Sequence, residues 1–203
     1  MKKIIYLFSI ISTIFCDAQN EIRSLNDFNF GNFNGVYNKD VDNDFNKVEG
    51  TWVSTDNGIT FTIKLQKIYA HHYVDYRWNY YEDMLIGEFK IIKDGVEKIN
   101  TLPNLISTPI TEPYKHNIIA SSIVGNGSVP INNGALNERG IMLELYDPDI
   151  DYIGVQVFMK FFIENGIEKL NCKIQQFGLG VEPYENAPGV KFKFGNYTFI
   201  KQP

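Results

Sequence analysis

Apolar and polar residues alternate most cleanly between Ile59 and Gln66. Ile59, Phe61, Ile63 and Leu65 point one way, and Thr60, Thr62, Lys64 and Gln66 the other. A period of two sustained over this length marks a half-buried β-strand. Asn57-Gly58 stands between this run and the strand start at Gly50-Thr51-Trp52. Both turn residues tolerate positive φ, so the pair predicts a tight hairpin.

Further strands are predicted over Met84–Ile92, Ile118–Val124, Ile141–Tyr146, Val155–Ile163, Leu170–Gln175, Val190–Phe194 and Tyr197–Gln202. Gly195-Asn196 fits another tight turn between the last two. Pro103, Pro109 and Pro113 each remove a ladder donor, so Thr101–Asn117 reads mostly as loop. Gly125–Gly140 is a Gly/Asn-rich connection. One helical turn is expected within Asp40–Lys47, capped by Asp40 or Asp42, with Phe45 and Val48 aimed at the core. Residues 19–39, rich in Asn and Phe, read as an extended lead-in docked in part on the domain. About ten strands and little helix make an all-β domain over 40–203, a single antiparallel barrel or strongly curved sandwich.

Ile91–Asn100 parallels Phe162–Asn171, with Lys93-Asp94-Gly95 matching Glu164-Asn165-Gly166. Either a half-domain is duplicated or one turn chemistry is used twice. The second fits better, because the similarity ends within the segment. In both copies alternation slips after the glycine, which a bulge or a longer loop absorbs.

The first eighteen residues carry Lys2 and Lys3, an apolar run from Ile4 to Phe15, and Cys16-Asp17-Ala18 before Gln19. That is the layout of a secretory signal peptide cleaved after Ala18. As a helix the run would rise only about 18 Å against a bilayer core of about 30 Å. A lipoprotein signal acylated at Cys16 competes with this, but Phe15 is large for the residue before such a cysteine. The expected product is exported, to periplasm, cell surface or medium. No later apolar run spans a membrane as a helix. Cleavage leaves the chain one charge more negative than the −5 of the whole sequence. With no basic cluster, it is a poor partner for nucleic acid. Cys172 then stands without an intrachain partner, in phase with Leu170 and Ile174, and reads as a small buried hydrophobe.

Candidate chemistry is sparse, and no catalytic residue, ligand-binding residue, metal ligand or cofactor site is assigned. Asp40-x-Asp42-x-Asp44 and Asp147-x-Asp149-x-Asp151 suggest calcium loops. The sixth and twelfth positions that helix-loop-helix sites require are instead Phe45 and Thr51, and Tyr152 and Phe158. His71 and His72 are adjacent, so on a strand they face opposite sides and cannot share a metal. His116 lies in the proline-rich loop, and zinc lacks a ligand set. Gly125-Asn126-Gly127-Ser128 is turn chemistry, and Gly-x-Ser-x-Gly is absent. Glu82-Asp83 and the other carboxylates could pair across a cleft as glycosidase acids do, though with so many acids on the surface the pattern points to no particular pair. The best site candidate is the aromatic run Tyr69–Tyr81, which no single period explains. Such rings line ligand mouths or stack on sugars, and equally serve as core and edge aromatics.

Asp44–Trp52, with Gly50-x-Trp52 opening a strand, resembles the first motif of lipocalins and other calycins. In that family the Trp closes the barrel bottom beneath a basic residue from near the last strand, a role the resemblance gives Lys201. A wider resemblance runs through Tyr37–Asn43, Gly50–Trp52, Phe61–Leu65, Tyr80–Asp83, Gly95–Leu102, Leu145–Pro148 and Ile200–Gln202. These segments are similar to exported Bacteroidetes proteins of the domain of unknown function 6705. That resemblance implies export from such a bacterium and carries no activity, substrate or site residue. The function expected is a non-enzymatic binding or structural module, with a small apolar ligand in a calycin-type pocket or a cell-surface component as partner. A carboxylate-dependent hydrolase and a calcium-stabilised adhesion module are the alternatives.

Overall fold

The computed structural model describes residues 20–25, 34–125, 139–178 and 188–203. The expected signal segment 1–18, the Asn/Phe-rich stretch around Asn29–Phe33 and most of the 125–140 connection lie outside the described residues.

Eleven strands are described: β1 (Glu21–Ser24), β2 (Val36–Lys39), β3 (Gly50–Asp56), β4 (Ile59–Val74), β5 (Asn79–Lys93), β6 (Val96–Asn100), β7 (Ile118–Val124), β8 (Gly140–Asp147), β9 (Ile150–Glu164), β10 (Ile167–Phe177) and β11 (Gly195–Lys201). Eight of them close an antiparallel barrel in the order β5-β4-β3-β11-β10-β9-β8-β7 and back to β5. Closure rests on Leu85, Ile86 and Gly87 against Ala120, Ile119 and Ile118. The lead-in supplies β1 and β2, which add in parallel to β5 at Tyr81 and Glu82. β6 adds to the far end of the same edge.

Three tight turns join neighbouring strands, at Asn57-Gly58, Asp94-Gly95 and Asn165-Gly166. Each has φ near +50° and then near +76°, the backbone of a type I′ turn. The internal echo is therefore shared turn chemistry. One copy lies between β5 and the accessory β6, the other between two barrel strands, and only the first carries a bulge.

Side chains of the inward phase meet in one cluster. Phe61 lies 5.5–5.9 Å from the rings of Phe89, Phe192, Tyr197 and Phe199, so aromatics fill this part of the lumen. Cys172 is buried between Leu170 and Ile174, and burial pushes its thiol well above the ordinary range. Position 87, on the inward phase, takes glycine because a Cβ there would lie 2.6 Å from the Lys64 carbonyl and 2.7 Å from the Leu65 side chain.

Two expectations at the C-terminus are corrected. Val190–Phe194 is not a strand, although Phe192 is buried in the core. Gly195-Asn196 is not a turn but the start of β11, paired with Ile174 and Lys173.

The other barrel end is closed by α1 (Asp44–Val48), which buries Phe45 and Val48. Below it Trp52 is wholly buried, its indole N–H donating to the Val48 carbonyl at 2.7 Å. Lys201 Nζ stands 5.3 Å from the indole ring and pairs with Glu168 at 2.6 Å.

Candidate functional site

Lys67 continues the inward phase of β4 after Leu65 and so carries its ammonium into the closed end of the barrel. It meets Asp40 at 2.8 Å and Asp83 at 3.8 Å, all three side chains being 1% exposed or less. Asp40 also accepts the Asp44 and Phe45 N–H groups at 2.8 and 3.0 Å, capping α1 from outside the helix. Asp83 accepts from the Tyr37 hydroxyl and from the Asp40 and Ala70 N–H groups. This network ties β2, α1, β4 and β5 together. It fixes the point from which β4 and β5 run on beyond the barrel.

They do so as a two-stranded ribbon. At Tyr69-Ala70 the register slips, with Ala70 at φ +49°, and such a bulge re-aims the strand. Beyond it His71 faces Glu82, His72 faces Tyr81 and Tyr73 faces Tyr80. The Asp75 carboxylate accepts the Arg77 and Trp78 N–H groups at 2.6 and 2.7 Å, shaping the tip. The bulge and the tip turn explain why no single period fitted this stretch.

Alternation separates the residues that the sequence set side by side. His72 stacks on Tyr81 on one face, at 4.3 Å and 10°. On the other, Tyr73 stacks on Tyr80 at 5.1 Å, and Tyr114 stands nearly perpendicular to Tyr73 at 6.3 Å and to His71 at 6.2 Å. Tyr114 belongs to a short 3-10 turn (Pro113–Lys115) in the strap, residues 101–117, which lays Leu105 over the outer face of β5. Beneath it lies Glu82, 7% exposed, with the Tyr114 hydroxyl 3.5 Å away. Glu82 and Asp83 therefore occupy opposite faces and do not form an acid pair.

Burial pushes the Glu82 carboxyl up to about 7, against a weaker downward pull from the Tyr114 hydroxyl. Tyr73, Tyr80 and Tyr114 are all held above the ordinary phenol range, Tyr73 mainly by Asp75 and the other two mainly by burial. Desolvation holds His71 below its ordinary value. A carboxyl raised on folding favours the folded state most when it is protonated. Its contribution is complete below the unfolded value near 4.5 and lost as pH rises through about 7. The span corresponds to about 3 kcal/mol. Glu82→Gln should therefore gain on the native chain by about 3 kcal/mol between pH 4.5 and pH 8 in urea unfolding. A stability difference that stays flat with pH contradicts this account of Glu82.

Other candidates are accounted for differently. His116 Nδ1, from the strap, lies 3.0 Å from Glu88 Oε1 on β5, both side chains wholly buried. In the first acidic run, Asp42 pairs with Arg139, and Asp44 with Arg139 at 2.6 Å and Lys47 at 2.6 Å. In the second, Asp149 pairs with Lys191, and Asp147 accepts the Asp149 and Lys191 N–H groups. Among the described residues no group of three or more His, Cys, Asp or Glu side chains is placed to hold a metal. No described helix is long and apolar enough to cross a membrane. A hollow of about 310 Å³ opens beside α1, floored by Val48, Ile141, Met159 and Phe161 and rimmed by Lys47 and Arg139.

Tyr69–Tyr81 stands out in the sequence as an aromatic run, but neither its ribbon form nor the roles of Tyr114 and Lys67 are legible there. Tyr114 was hidden in a proline-rich loop, and Lys67 fell one residue past the alternating run. The phase of β4 was the available signal for Lys67. No curated protein and no solved structure matches the chain. A family model does match, over residues 1–202, and the chain accordingly belongs to DUF6705, a family of unknown function.

Proposed function

We propose that this is an exported, non-enzymatic binding module whose recognition surface is the outer face of the β4–β5 ribbon. The observation that carries the reading is Glu82, a carboxyl almost removed from water and bordered by Tyr73, Tyr80, Tyr114 and His71. Burying such a group without a strong partner is costly, and sites that tolerate this are often functional. The opposed facing of Glu82 and Asp83 removes that one pair from the hydrolase alternative, which needs two acids across one cleft. Answering cations at both acidic runs disfavour the calcium module. An apolar small-molecule pocket is supported by the hollow beside α1 rather than by the lumen, where the Phe61 cluster stands.

The test is thermal melting of the mature chain against a panel of neutral sugars, alkylammonium ions and fatty acids. A saturating ligand at about a hundred times its Kd should raise Tm by about 5–10 °C. Tyr73→Ala and Tyr114→Ala should abolish that rise, while EDTA should leave it unchanged. A rise that survives both substitutions, or no rise with any class, rejects the ribbon as the binding surface.

A further inference from the structure

We infer that the ribbon site takes a small organic cation, an alkylammonium group seated against Tyr73 and Tyr114 above the Glu82 carboxyl. This rests on the reading of the ribbon as a binding surface and goes beyond it by naming the ligand's charge and size.

The surroundings of Glu82 point to a positive ligand. Among the described residues its side chain has a single hydrogen-bonding partner, the Tyr114 hydroxyl at 3.5 Å, a distance at which the bond is weak. The nearby basic side chains are committed elsewhere. Lys115 pairs with Glu112 at 2.8 Å, and Arg77 lies over the Tyr76 ring at 4.8 Å and acts on Asp75 and Tyr73 rather than on Glu82. Asp75, the carboxylate at the ribbon tip, already answers the Arg77 charge and two N–H groups, and the Tyr73 hydroxyl rests against it. Among the described residues the groups facing Glu82 are His71 and Tyr73 from β4, Tyr80 from β5 and Tyr114 from the strap, none of them a fixed cation.

Ring geometry fits the same class. Tyr114 stands at 81° to Tyr73 and at 76° to His71, so these rings form a corner rather than a flat platform. Ring faces attract a cation through their quadrupole, most strongly when it is desolvated. The carboxylate beneath supplies the countercharge. A phosphate or other anion placed over Glu82 would meet a carboxylate and ring faces, with no lysine or arginine in contact with Glu82 among the described residues. A neutral sugar would leave the charge of Glu82 unanswered.

Calorimetric titration with choline, compared with its uncharged isostere 3,3-dimethylbutan-1-ol, tests this on the native protein. Choline should bind at least tenfold more tightly than the isostere at pH 8, and about tenfold more tightly at pH 8 than at pH 6 as Glu82 gives up its proton. Glu82→Gln should remove the pH difference and sharply reduce the preference over the isostere, and His72→Gln, on the opposite face, should keep both. Phosphocholine and a trimethyllysine peptide then separate a lipid headgroup from a protein side chain as the source of the cation. Equal binding of choline and the isostere, or an unchanged preference in Glu82→Gln, overturns the cation inference. A sugar that binds through Tyr73 and Tyr114 while choline does not also overturns it, yet leaves the ribbon as the recognition surface. Loss of all ribbon-dependent binding rejects both readings.

Discussion

Replacing Lys67 with methionine should cost about 3–5 kcal/mol of folding stability, because it removes the cation between two buried carboxylates. Asp40 and Asp83 are 1% exposed or less at the side chain, and Lys67 lies 2.8 and 3.8 Å from them. Hydrogen bonds soften the exposure of each charge. Asp40 takes two N–H groups of α1, and Asp83 takes a phenol and two N–H groups. Neutral donors do not cancel a net charge in a low-dielectric site, so the carboxylates left behind would repel. The loss should be non-additive. Asp83→Asn introduced into Lys67→Met should return part of the stability, since one charge fewer remains unpaired. Urea unfolding of the two singles and the double reads the coupling directly. A Lys67→Met cost below about 1 kcal/mol would mean that the ammonium contributes little beyond its own desolvation.

This network marks where sequence reading stopped. Strand existence was legible wherever one face alone is buried, as in Ile59–Leu65 or Ile141–Leu145, because alternation then reports the barrel wall directly. The helical turn was legible too, with Phe45 and Val48 both buried. What failed depended on contacts distant in the chain. β5 is buried from Glu82 to Phe89 on both faces, since the strap lays Leu105 over Met84 and Ile86. That coverage hid the face change between Glu82 and Asp83, although a period of two already implied it. His116 finds Glu88 across 28 positions, which no local pattern encodes. Val190, Phe192 and Phe194 alternate like a strand, yet the segment instead buries Phe192 as a core side chain. Alternation reports which side of a wall a residue takes, and it says nothing of whether that wall is hydrogen-bonded.

Trp52→Ala should be comparably severe, at about 3–5 kcal/mol, the range for deleting a buried Trp or Phe. The indole is wholly buried at the α1 end, edge-on to Phe161 at 6.4 Å. Its N–H also satisfies the Val48 carbonyl at the end of α1. Truncation thus opens a void, strips a helix-end carbonyl of its donor, and leaves Lys201 over nothing. Trp52→Phe separates these contributions. It keeps most of the volume and loses the hydrogen bond, so it should cost about 1–3 kcal/mol. Lys201→Ala, which removes a cation partly open to water, should cost only about 0.5–1 kcal/mol. The chain holds two tryptophans, so in the Trp52 variants Trp78 at the ribbon tip becomes the single indole reporter of unfolding. If Trp52→Ala unfolds within about 1 kcal/mol of the native protein, the indole is not what closes this end of the barrel. The Asp40-Lys67-Asp83 network would then have to hold α1 in place by itself.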